Sequence, residues 1–363
     1  SRTATLNGKK FTLPSAPRKI RYIAKKKNYI MVPGDIVAKK LGLNYSWNNR
    51  LLSGVISKGS TNKPAPSNPS NTKPQTSNPS GSTTKITASE SDYSIRIKKP
   101  DGLSSSSISS NDDYWNKQLQ IIIDGDYRNF FNTASNRTIK DSLTYKVSYL
   151  NGKTYINLIT SAIKGFSVTQ TDSYIYVKYA APKDMFYRVI VIDAGHGGKD
   201  SGATGNGYIE KNMTLKIVQN IKTNFDSDPL YKVYYTRLSD WYPTLTERYD
   251  LANTVNADRF LSVHINSADS ASAKGTETLY KDYKTYANVI HSSSLSGMEY
   301  TKGSSYDRGL VYRPGLAVLR GTKMMSALAE MGFISNSTES ARIDARSEAI
   351  GSALYQSLCN SFN

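Results

Sequence analysis

The sequence predicts a chain of several folded parts: a C-terminal three-layer α/β domain, a central all-β sandwich and a small N-terminal α/β module. Three features point there. The stretch 59–85 is built almost wholly from Ser, Thr, Asn, Pro, Gly and Lys, a composition that cannot bury enough apolar surface to offset the entropy of ordering. Between 86 and 182, apolar residues recur at every second position in short runs, the period of a half-buried strand. From about residue 187, short apolar strands alternate with segments whose apolar residues fall on one helical face, the pattern of helices layered on a sheet. The expected parts are therefore 1–58, a disordered linker at 59–85, a β domain at 86–182, and the α/β domain at 186–363.

In the first module, 3–6 and 9–13 flank Asn7-Gly8, a strong signal for a type I′ hairpin. An extended segment at 29–32, a short helix over 35–40 and a second hairpin turning at Asn48-Asn49 follow. This module holds 13 Lys/Arg against one acid, Asp35, whereas the remaining 34 basic and 28 acidic residues nearly balance. Such a concentration of charge predicts a polyanionic partner. The linker, as a coil, spans about 30 Å, so the modules on either side can bind independently. No run of 18 apolar residues occurs, which excludes a membrane-spanning helix. The single cysteine, Cys359, excludes an intrachain disulfide. The opening at Ser1 has no charged n-region or apolar h-region, so any export signal is expected to have been removed.

Strands of the β domain are expected at 94–98, 119–124, 146–149, 154–159, 166–170 and 174–179. In the α/β domain, strands are expected at 189–192, 233–236, 260–263, 276–279 and 324–330. Helices are expected at 212–225, at 284–298, and from a cap at Ser337 almost to Cys359. A further helix begins at Thr244, which with Glu247 has the spacing of a capping box.

The candidate chemistry lies at strand ends. His196 follows the first α/β strand in DAGHGG, His264 follows the third in SVHINS, and Glu330 ends a strand in AEMGFISN. In open α/β sheets such carboxyl ends share one rim. Glu210, in the Gly-rich loop after His196, can reach the same rim. Two imidazoles and a carboxylate with a water in the fourth position form a known type of catalytic zinc site, and a remaining carboxylate can move protons. Each residue also has a plain structural reading: a hydrogen-bonded histidine after a strand, or a Glu210 that favours the positive end of a helix.

The segments IDAGHGGKDSGATGNGYIEKNMTL, TLTERYDLAN, ADRFLSVHINS, RGLVYRPGLAVLRGTKM and LAEMGFISN resemble, in order and spacing, the N-acetylmuramoyl-L-alanine amidases of the amidase 3 family over about 188–362. The resemblance implies one catalytic Zn2+ ion held by His196, Glu210 and His264, with Glu330 as the catalytic carboxylate. It further implies hydrolysis of the amide between N-acetylmuramic acid and L-alanine in peptidoglycan. Asn266 and Arg308 match recurrent family positions and are candidate substrate contacts. Some relatives insert a blocking helix between the SxHxN and RG segments; the short stretch from Ser267 to Arg308 here predicts an open groove. His291 has no matching partner and is expected on the surface.

Upstream, 86–182 resembles the AMIN domain that precedes many wall amidases. The first module resembles the small repeat named after the N-terminal domain of copper amine oxidases, although no histidine lies in it and no copper is implied. The expected protein is thus secreted and wall-associated, with peptidoglycan as substrate and anionic wall polymers, rather than nucleic acid, bound through 1–58. A zinc peptidase of other bond specificity and a non-catalytic wall-binding protein are the alternatives.

Overall fold

A computed structural model of the chain describes residues 85–363 apart from 89–93, 132–136, 141–142, 229 and 363, together with the backbone of six strands between residues 3 and 58. Two compact units divide the chain, Ser1–Thr83 and Thr84–Asn363.

In the first unit the strands form three antiparallel pairs. Thr3–Leu6 pairs with Lys9–Thr12, with Leu6 opposite Lys9, so the two flank Asn7-Gly8. Arg18–Tyr22 pairs with Lys27–Met31, and Leu43–Asn48 with Ser53–Lys58. The expected helix over 35–40 and the expected linker up to residue 84 lie outside the described residues.

The second unit begins with two antiparallel sheets. The five-stranded sheet runs, edge to edge, Arg137–Lys140, Leu143–Leu150, Lys153–Ile159, Gln118–Asp124, Ile108–Asp113. The four-stranded sheet runs Gly165–Gln170, Tyr174–Ala180, Ile95–Lys98, Ile86–Ala88. Alternate residues of both meet in one core: Leu119, Ile121, Ile123, Ile156 and Leu158 from the first, Ile95, Ile97, Ile175 and Val177 from the second. Three of these strands escaped the sequence reading. Ile108–Asp113, of sequence ISSNDD, shows why: its buried residue is Ile108 alone, so no alternation was there to see.

The α/β part follows directly. Its elements in chain order are β1 (Arg188–Ala194), α1 (Glu210–Asp226), β2 (Tyr231–Tyr235), α2 (Leu245–Thr254), β3 (Arg259–Asn266), β4 (Thr276–Tyr280), α3 (Lys284–Met298), β5 (Asp307–Tyr312), α4 (Ala317–Gly321), β6 (Met325–Phe333), α5 (Ser337–Ala345) and α6 (Ser347–Asn360). The sheet order is β2-β1-β3-β6-β4-β5. β1 is parallel to β2 and β3, and β3 is parallel to β6. β4 is antiparallel to β6 and parallel to β5.

Period-two alternation in β1 sends Ile190 and Ile192 to one face and Val189 and Val191 to the other. On the first face lie α1, α3 and α6; their Ile217, Ile221, Ile290, Ile350 and Leu354 are fully buried, each such side chain worth about 1.5–3 kcal/mol. On the second face lie α2 and α4, through Leu251, Ala252, Val318 and Leu319. Three layers result, as the pattern predicts.

Two local expectations change. The C-terminal helix is broken at Arg346 (φ −102, ψ 9), and its first part is capped by Asn336, whose side chain accepts from Thr338 and Glu339 N–H, rather than by Ser337. His291 is not a surface residue: it is 3% exposed on α3, pairing with Thr278 at 3.2 Å and Asp307 at 2.8 Å. Polar neighbours disguised that helix face, because Ser294 is also buried and returns its hydroxyl to Ile290 O.

Candidate active site

The rim at the carboxyl ends of β1, β3 and β6 gathers the four predicted residues. His196 leaves β1 in a loop with left-handed backbone (φ 63). His264 lies on β3 beside its register partner Glu330 on β6. Glu210 opens α1, 4% exposed. Its Oε1 lies 3.1 Å from His196 Nε2 and 3.0 Å from His264 Nδ1, and accepts from Ile265 N–H at 3.0 Å. Oε2 accepts from Ala203 N–H at 2.9 Å. One donor atom from each of His196, Glu210 and His264 falls within 4.8 Å of the others.

This approach requires a glycine. A Cβ on Gly195 would overlap the His264 ring, so an alanine there must displace the imidazole.

The electrostatics favour a cation among the three. Burial works to raise the Glu210 carboxyl, yet hydrogen bonds from the two imidazoles and their charge hold it well below the carboxylate range. Burial in turn works to lower both histidines, but Glu210 raises them. A buried carboxylate that draws protons onto two adjacent rings is a donor set that a metal cation satisfies in their place.

Glu330 differs. Burial, with the like charges of Glu210 and Glu277 adding and His264 opposing, pushes its carboxyl up to about 7. Its Oε2 is buried without a hydrogen-bond partner. A lone carboxylate oxygen of this kind, held next to the triad, fits a residue that exchanges protons rather than one that packs.

Asn266 and Arg308 do not join the cluster. Both bind Glu277 on β4, Asn266 Nδ2 at 2.9 Å and Arg308 Nε at 2.8 Å. Glu277 is in turn the register partner of Glu330. Beside the histidines lies a cleft of ≈ 130 Å³ walled by Leu245, Leu316 and Val318. Helix α3, between the SxHxN and RG segments, buries Tyr286, Ile290 and Met298 in the core on the face it shares with α1 and α6.

Three supporting residues escaped the sequence reading. Asp193, fully buried, accepts from Arg248 at 2.7 Å and from Thr236 and Ser262 at 2.6 Å. Arg248 also donates to Ala194 O and to His196 O, each at 2.8 Å. Arg237, 1% exposed, donates to Ala194 O, Gly195 O and Lys211 O. Together they fix the backbone that carries His196. The available signal was a lone arginine on an apolar helix face, the Arg248 of TERYDLAN, which cannot be buried without a partner.

A model of the N-acetylmuramoyl-L-alanine amidase family, amidase 3, matches residues 190–360. The uncharacterized protein YqiI of Bacillus subtilis (strain 168) is 36% identical over 170 residues, a match covering 47% of this chain and 78% of that one. The sporulation-specific N-acetylmuramoyl-L-alanine amidase of the same strain is 38% identical over 151 residues, covering 40% of this chain and 56% of that one. Among solved structures, the catalytic domain of CwlV, an N-acetylmuramoyl-L-alanine amidase from Bacillus (Paenibacillus) polymyxa var. colistinus, is 32% identical. That match covers 48% of this chain and 98% of that one, at a TM-score of 0.45. The chain therefore spans most of YqiI but little more than half of the sporulation amidase. Through its α/β part, this chain belongs to the N-acetylmuramoyl-L-alanine amidase family.

Proposed function

We propose that the chain is a zinc-dependent peptidoglycan hydrolase that cleaves the amide between N-acetylmuramic acid and the L-alanine of the stem peptide. The observation that carries this reading is the convergence of His196, Glu210 and His264 within 4.8 Å, beside a carboxylate with one unpartnered buried oxygen. His196, Glu210 and His264 would hold the ion. Zinc bound there supplies a water molecule acidified to a pKa of about 7 and a Lewis acid for the scissile carbonyl.

The protein's own groups do the rest. Glu330 takes a proton from the attacking water and delivers it to the departing alanine nitrogen, the role its raised carboxyl suits near neutral pH. Asp200, 2.9 Å from His196 Nδ1, orients that ring and fixes its tautomer. The apolar wall of Leu245, Leu316 and Val318 excludes bulk water beside the reacting centre. Asn266 and Arg308, held by Glu277, serve as substrate contacts at the rim; the Arg308 side chain is 43% exposed.

Upstream, the two-sheet part at 86–182 acts as an AMIN-like envelope module. Residues 1–58, with 13 basic residues against one acid, bind anionic wall polymers by charge. The protein is thereby secreted and held at the wall.

Assignment of the new chain ends in a peptidoglycan digest tests the activity. Free L-alanine amines are the expected product. Other new ends indicate a peptidase, and an undigested sacculus with protein attached indicates a binder.

The ligand set has its own test. Gly195→Ala is expected to lose most bound zinc, because the added Cβ overlaps the His264 ring. Metal analysis of purified protein reads this directly. A variant that keeps one zinc per chain rules His264 out as a ligand.

A further inference from the structure

The two-sheet part and the α/β part meet within one compact unit, and their contact leads to the loop that carries His196. The turn Tyr114–Asn116 lies against β2, the edge strand of the six-stranded sheet. Tyr114 donates its hydroxyl to Tyr235 O at 2.7 Å and accepts from Tyr235 N–H at 3.0 Å. It thus covers a pair of backbone groups that an edge strand otherwise leaves open. Its ring meets Tyr234 edge-on at 5.0 Å between centroids, and Asp112 pairs with Lys232. Tyr114, Trp115, Ile163 and Ala180 pack against the cluster that contains Phe186, Val189 and Tyr234. This apolar surface is shared between the two parts.

One contact reaches further. The Trp115 ring lies edge-on to Trp241, 5.3 Å between centroids. Trp241 belongs to the loop 239–242, whose backbone is pressed onto the histidine loop. The Trp241 carbonyl occupies the place where a Cβ on Gly197 would stand, and Tyr242 N the place beside Gly198. Asp240 accepts from Gly198 N–H at 2.7 Å and pairs with Lys211 at 2.7 Å, while Lys211 donates to Gly198 O at 2.9 Å. The segment so held is His196-Gly197-Gly198, with φ of 63, 125 and 53. Gly197 and Gly198 adopt such angles without steric cost, but His196 carries a side chain, and its left-handed backbone persists because its surroundings impose it.

We propose that the two-sheet part is a fixed element of the catalytic apparatus, and that Trp115, through Trp241, is a positioning residue that holds the 239–242 loop against Gly197 and Gly198 and so fixes the His196 ring. This rests on the assignment of His196 as a zinc ligand, and it goes beyond a targeting role for the upstream part. By reciprocity, metal binding and docking of Trp115 then stabilise each other. An aromatic pair of this kind sets a ceiling of about tenfold on the coupling.

The test uses the full chain and zinc alone. Zinc affinity is measured by competition with a chromophoric chelator, well below the unfolding temperature, for wild type, Trp115→Ala, Trp115→Phe and Lys232→Ala. Trp115→Ala is expected to bind zinc roughly three- to tenfold more weakly, and Trp115→Phe, which restores a ring edge, to recover most of that loss. Lys232→Ala breaks a docking ion pair away from the loop and is expected to leave zinc affinity unchanged. Equal affinity of Trp115→Ala and wild type overturns the proposal. So does equal weakening by Lys232→Ala, which would assign the effect to general loosening. If Trp115→Ala does not fold, Trp115→Leu replaces it in the same comparison. A wild-type chain that takes up no zinc overturns the ligand assignment itself, and this inference with it.

Discussion

Glu330→Gln is expected to lose hydrolysis by about 10²–10⁴-fold while keeping the zinc content of the wild type. Glutamine preserves the shape of the side chain on β6 and its packing between His264 and Glu277, its register partners. What it removes is the ability to carry a proton. The proposed ligand atoms of His196, Glu210 and His264 are untouched, so metal retention separates the two roles. His196→Ala is the contrast and is expected to lose both metal and activity. The pH dependence adds a second reading. Burial pushes the Glu330 carboxyl up to about 7, and a bound dication pulls it back toward the ordinary value of about 4.3. The base form accumulates as pH rises through the folded pKa, so the acid limb of kcat/KM should lie between the ordinary glutamate value of about 4.3 and about 7. Residual activity of Glu330→Gln should lack that limb. Loss of zinc by this variant to the extent seen in His196→Ala would place Glu330 among the ligands.

Part of this arrangement was legible in the sequence because its signals are local. His196 stands just past β1 and His264 follows the apolar run 260–263 inside β3, and the register that sets His264 beside Glu330 follows from two parallel strands ending on one rim. Helix α2 could be placed by its capping box, which the structure contains in full. The missed elements depend on distant partners. Arg237 and Arg248 gain their meaning from carbonyls of residues 194–196, more than 40 positions away, and no periodicity encodes that. His291 looked exposed because its neighbours are serines, yet Thr278 and Asp307 satisfy it inside the core. Asn266 and Arg308 were singled out as independent substrate contacts; Glu277, which binds both, was passed over as one residue of an ordinary strand.

Asp193→Asn is the substitution expected to cost the most stability. Asp193 is fully buried, and Arg237 and Arg248, 1% and 2% exposed, flank it. Burial and the charge of Arg248 pull the Arg237 guanidinium down to about 10, with Asp193 opposing. The Arg248 guanidinium pairs directly with this carboxylate at 2.7 Å, while Arg237 feels its charge together with those of Asp240 and Asp200. Asparagine keeps the volume but withdraws the charge, and its amide must turn donors toward Thr236, Ser262 or Arg248, which now donate to Asp193. Leaving a buried cation without its partner costs about 3–5 kcal/mol, so the unfolding midpoint should fall by roughly 10 °C. The pH dependence gives the sign. Burial works to raise the Asp193 carboxyl, but the Arg248 charge and the two hydroxyls outweigh it and hold the group below the ordinary carboxylate value. A depressed pKa contributes stability that is complete above the unfolded value of about 3.9 and is lost as pH falls through the folded one. Melting of wild type and Asp193→Asn between pH 7 and pH 3 should show a wide gap at neutral pH that narrows on the acid side. A gap that stays constant, or none at pH 7, would mean that the Asp193–Arg248 pair does not hold the His196 backbone in place.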